Sequence, residues 1–131
     1  MKTRLAAGLG SIVLTAGALL GAPAAGAQTA PYPSTSFDVT VGASSVRGTL
    51  TWRDRSVGAT GTHRAVGCGR VWFRTYGASG NVLDTVSSST RCNVTYQFRH
   101  EFVADAPGGV ASVEICLEAN TALACERYNR P

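Results

Sequence analysis

The chain has 131 residues, 44% of them hydrophobic and 15% charged, with a net charge of +4. That balance excludes an intrinsically disordered chain, which would be poor in apolar residues and rich in charge. The length fits one domain with a modest core, and the basic excess is too small to argue for a nucleic-acid partner.

The first residues have the three-part plan of a secretory signal peptide. Lys2 and Arg4 make a basic start, Leu5 to Leu20 is apolar and uncharged, and Ala25-Gly26-Ala27 follows a break at Pro23. Cleavage is expected after Ala27, with Ala30 as the alternative. A retained membrane anchor is the competing reading, but the many Gly and Ala residues make the run weakly hydrophobic for a span. The signal peptide is therefore residues 1–27, and no membrane association is expected after its removal. Losing Lys2 and Arg4 halves the net charge, and the remaining chain contains arginine but no lysine.

Residues 28–35, with Pro31 and Pro33, read as a flexible lead-in. Residues 36–131 read as a single domain. Ser36 to Val41 alternates Phe37, Val39 and Val41 against polar residues, and Val46 to Arg53 turns Val46, Gly48, Leu50 and Trp52 to one face. Ser56 to Val66 is Gly- and Thr-rich, a strand with weaker alternation. Cys68 to Cys92 reads as a hairpin with a cysteine at each end. Its first arm places Val71, Phe73 and Thr75 on one face and Arg70, Trp72, Arg74 and Tyr76 on the other; Gly77–Gly80 turns the chain, and Asn81 to Val86 returns. Tyr96 to Val103 puts Tyr96, Phe98, His100 and Phe102 on one side. After the break at Asp105–Gly109, Val110 to Glu118 alternates Val113, Ile115 and Leu117 against Ser112, Glu114, Cys116 and Glu118, and Leu123 to Tyr128 completes a last hairpin.

Seven or eight short strands with no helical period predict an all-β fold: an antiparallel two-sheet sandwich of immunoglobulin-like size, with a closed barrel as the alternative. All four cysteines follow the leader, and an even count in a secreted chain predicts two disulfides. Of three possible pairings, Cys68–Cys92 and Cys116–Cys125 close local hairpins. With Asn120-Thr121 as a two-residue turn, Ala119 faces Ala122 and Cys116 lands opposite Cys125, on the wet face of its strand.

No catalytic signature is present. There is no Gly-x-Ser-x-Gly elbow, the eight acids are scattered, and His63 and His100 show no spacing to a nucleophile. His100, among Tyr96, Phe98 and Phe102, reads as a sheet-edge histidine with hydrogen-bonded ring nitrogens. The cysteines lack zinc-site spacing and no Asp-rich calcium loop occurs, so no metal and no cofactor are expected. The most suggestive surface is Arg70, Trp72, Arg74 and Tyr76, where flat aromatic area alternates with fixed donors suited to sugar rings or a protein partner. The competing reading makes that face core, or aromatic rings shielded by arginine stems. The expectation is a small, secreted, monomeric, non-catalytic module binding cell-wall or other extracellular polysaccharide or a protein partner; the alternative is a proteinaceous inhibitor of an extracellular hydrolase, presenting loops such as Gly77–Gly80 or Asp54–Ser56.

Overall fold

The computed structural model describes residues 32–131; the expected leader and residues 28–31 lie outside the described residues. Seven antiparallel strands follow in order: β1 (Ser34–Val41), β2 (Ser44–Trp52), β3 (Ser56–Tyr76), β4 (Val82–Ser87), β5 (Arg91–Val103), β6 (Ser112–Ala119) and β7 (Ala122–Asn129). The all-β antiparallel class, the seven strands and both disulfides agree with the sequence.

The short-strand expectation is corrected at the centre. Ser56–Val66 and the first arm of the expected hairpin are one strand, β3, of 21 residues. Its first half pairs with β2 on one edge and β5 on the other; its second half pairs with β6 and β4 on those same two edges. All seven strands are hydrogen-bonded into one sheet, with halves β1-β2-β3-β5 and β7-β6-β3-β4 sharing β3. Cys92 consequently lies on β5, directly across from Cys68, rather than at the end of a hairpin arm.

The junction of those two β3 segments is a bulge. The β3–β5 register shifts between Ala65 and Cys68, where Gly67 has φ +77, a value that suits glycine. Side chains replace the missing ladder. The buried Ser44 hydroxyl accepts from the Val66 amide at 2.9 Å and donates to the Val66 carbonyl at 3.2 Å. Asn93 Oδ1 accepts from the Gly67 amide at 2.8 Å, and Asn120 Oδ1 accepts from the Cys68 amide at 3.3 Å. Every backbone group so paired avoids the cost of an orphaned polar atom, so β3 continues through the interruption.

Period-2 alternation fills one core from both halves. Phe37 and Val39 of β1, Val46, Leu50 and Trp52 of β2, Val71 and Phe73 of β3 and Val113, Ile115 and Leu117 of β6 all join it. Phe37 pairs across to Gly48, which pairs in turn to Gly61, and the Phe37 ring occupies the space a β-carbon on Gly48 would need. The lead-in is shorter than expected, because Ser34 and Thr35 pair with Thr51 and Leu50. Thr35 Oγ1 accepts from the buried Trp52 indole at 2.9 Å, giving that ring's one polar atom a partner.

Candidate binding groove

The outer face of the second half-sheet can be read rung by rung from the registers. One rung runs Ser87, Trp72, Cys116, Cys125 across β4, β3, β6 and β7. The next runs Thr85, Arg74, Glu114, Arg127, and on the other side Arg70, Glu118 and Leu123 align. Between them lies a groove of about 480 Å³. Trp72 and the Cys116–Cys125 disulfide form its apolar floor, and Leu123, 62% exposed, extends that floor to the free edge of β7. Cys116 and Cys125 lie opposite each other with Cα atoms 4.0 Å apart, close to the narrow spacing of a non-hydrogen-bonded antiparallel pair.

Charged groups edge the floor. Arg70 Nε donates to Glu118 Oε1 at 2.9 Å while its guanidinium sits 4.5 Å from the Trp72 ring centroid. Arg74 Nη1 lies 3.8 Å from Glu114 Oε1. These half-exposed pairs contribute little to stability, on the order of 0–1 kcal/mol, but they hold two carboxylates and two guanidinium groups beside a half-buried indole.

The four residues singled out in the sequence do share one face of β3, yet they are not one open surface. Arg70, Trp72 and Arg74 border the groove region; Tyr76 does not contribute an open ring. It is only 8% exposed, its hydroxyl donates to Glu114 Oε1 at 3.1 Å, and the Arg127 guanidinium lies 3.6 Å from its ring centroid. This cover comes from β7, a strand whose position beside β6 cannot be read from β3. Glu114, Glu118 and Leu123 were missed as site residues for the same reason. Their shared parity with Cys116 was legible; the pairing of Trp72 with Cys116 was not.

The two histidines lie away from the groove. His63 is fully buried, with Nδ1 2.8 Å from the Tyr96 hydroxyl and Nε2 without a partner among the described residues. Burial, and secondarily the Arg91 charge, hold its pKa below the ordinary histidine value. His100 packs against Phe73, Phe98 and Phe102 and makes no side-chain hydrogen bond among the described residues, unlike the bonded edge histidine expected. Glu114, Cys116 and Cys125 bring donor atoms within 4.8 Å of one another, but both sulfurs are spent in the disulfide, and a metal needs the thiolate. No family model, curated protein or solved structure shows significant similarity to this chain.

Proposed function

We propose that the chain is a small secreted, non-catalytic binding module, and that extracellular polysaccharide seats in the Trp72 groove. The carrying observation is the rung in which Trp72 and the Cys116–Cys125 disulfide form an apolar floor between Glu118 and Glu114. A sugar ring presents a flat apolar face and a periphery of hydroxyls; the indole suits the first, and carboxylates with a nearby guanidinium suit the second. The groove volume falls within the range of roughly 300–1,000 Å³ typical of small-ligand sites. Secretion is supported by the leader-like residues 1–27 and by two disulfides with no free cysteine.

Co-sedimentation of the protein with insoluble chitin, cellulose and cell-wall preparations tests this reading. Retention is expected on at least one of them, with Trp72→Ala weakening it by tenfold or more, about 1.4 kcal/mol, while unfolding stays cooperative. Retention unchanged by Trp72→Ala, or no retention on any of them, would remove the polysaccharide reading.

The second reading is an inhibitor of an extracellular hydrolase, and one observation favours it. The exposed β3–β4 loop is held by its own hydrogen bonds: Gly77 N to Asn81 O at 2.8 Å, Gly80 N to Gly77 O at 3.0 Å and Ser79 Oγ to Asn81 Oδ1 at 2.6 Å. A preorganised loop loses little entropy on entering a cleft. Stoichiometric loss of activity on titrating secreted proteases and amylases would support it.

A further inference from the structure

The outer face of the first half-sheet follows from the β3–β5 register. Three successive outward rungs pair Thr60 with Arg99, Thr62 with Gln97 and Arg64 with Thr95. An open cavity of about 500 Å³ is lined by Thr60, Thr62, Gln97 and Arg99. A second, of about 260 Å³, lies one rung further along and is lined by Arg64 and Thr95. Together they form a trough that follows the two strands. Phe98 also borders the first cavity, but strand alternation turns its side chain to the core, where it packs against Phe37 and Phe73. The groups facing the trough are therefore hydroxyls, an amide and two guanidinium groups.

Those two cations are uncompensated. Arginines 47, 53, 55, 70 and 74 have carboxylate partners within 4.0 Å; among the described residues Arg64 and Arg99 have none. The acids on the same face are engaged elsewhere. Asp38 is held by Arg47 at 3.0 Å. Glu101 is held by Arg53 at 3.0 and 3.1 Å and by the Ser56 hydroxyl at 2.6 Å. Arg99 sits opposite Thr60, and Arg64 lies four residues beyond Thr60, so the two cations stand about 13 Å apart along the strands. That span suits an extended chain carrying charge at intervals rather than a single small anion. With no ring in the trough, bases have nothing to stack on, which argues against a single-stranded nucleic acid.

We propose that this trough is a second ligand site, separate from the Trp72 groove on the other half-sheet, for a linear polysaccharide of uronic acids. Arg64 and Arg99 each take a carboxylate through paired, charge-assisted hydrogen bonds. Between them Thr60, Thr62, Thr95 and Gln97 exchange hydrogen bonds with the sugar hydroxyls, since each carries both a donor and an acceptor.

The test is calorimetric titration with hexagalacturonate at low salt, beside cellohexaose, a neutral chain of equal length. The acid is expected to bind at least tenfold more tightly than the neutral chain and to weaken as salt is raised. Both arginines are exposed, and an Arg64→Gln/Arg99→Gln variant, its fold verified by cooperative unfolding, is expected to lose that preference. Arg55→Gln, which removes a charge at the β2–β3 turn, and Trp72→Ala are each expected to keep the acid's affinity within twofold. No heat at millimolar hexagalacturonate, equal affinity for the two chains, or full acid affinity in the double variant would each overturn the proposal. So would a comparable loss in Arg55→Gln, which would reduce the effect to net charge, or in Trp72→Ala, which would move the acid to the other groove.

Discussion

Replacing Cys68 and Cys92 together with alanine separates chain entropy from packing as the source of this fold's stability. That bridge joins residues 24 apart, whereas Cys116–Cys125 joins residues 9 apart. Loop-closure arithmetic gives about 3.5 kcal/mol for the longer loop and about 2.7 kcal/mol for the shorter. Three of the four cysteines are exposed and Cys116 is half-buried, so alanine removes little buried apolar area and the entropic contribution dominates. The shorter bridge also lies in a hairpin with a two-residue turn, whose ends stay near each other after reduction, which cuts its effect on the unfolded ensemble. The longer bridge joins β3 to β5 beside the bulge, where the ladder is interrupted. Urea unfolding is therefore expected to show a loss of about 3 kcal/mol for Cys68→Ala/Cys92→Ala, a large part of a domain's typical stability of roughly 5–15 kcal/mol. For Cys116→Ala/Cys125→Ala the expected loss is about 2 kcal/mol. The first variant should also show the larger rise in denaturant slope, since its unfolded chain expands more. Equal losses, or a greater loss from the shorter loop, would refute the entropic account.

Gly48→Ala should destabilise by about 1–3 kcal/mol, because the new methyl group would meet the Thr60 carbonyl, the Gly61 Cα and the Phe37 ring. Gly42→Ala, at φ +59 in open space, should cost only about 1–2 kcal/mol of backbone strain; thermal unfolding that found Gly48→Ala the milder of the two would contradict the packing described. His63 supplies a pH dependence. The fold holds it neutral, so the unfolded chain takes up a proton as pH falls below the ordinary value of 6.5 while the folded chain resists. Stability is thus full above pH 6.5 and declines below it until the depressed folded-state value is passed. Urea unfolding from pH 7.5 to 5 should show that decline in the wild type and a shallower one in His63→Gln; parallel curves would place the proton uptake elsewhere.

Faces were legible in this sequence and neighbours were not. The alternation of Val46, Leu50 and Trp52, or of Val113, Ile115 and Leu117, follows from the two-residue period of any strand and needs no knowledge of its partners. The turn at Asn120 and the opposition of Cys116 to Cys125 are equally local, and Asn120 does adopt φ +56 there. The continuity of β3 was hidden because its bulge is sustained by Ser44, Asn93 and Asn120, all distant in sequence. His63 was unreadable for a related reason. It shares its face with small residues, Ala59, Gly61 and Ala65, so the burial of that face had no bulky apolar signature. Of the candidate site, the row containing Trp72 could be read, but the strand laid beside it, and Arg127 over Tyr76, could not.

Because β3 runs through both halves of the sheet, neither half can be excised, exchanged or melted alone. Its neighbours in the chain, β2 and β4, can assemble on it first as a three-strand meander, the arrangement with the least loop closure. At that stage each edge of β3 has one bare stretch, awaiting β5 on one side and β6 on the other. Bare edges are where a half-made sheet recruits another molecule. The Cys68–Cys92 bridge ties β5 to β3 along the longer of those two stretches.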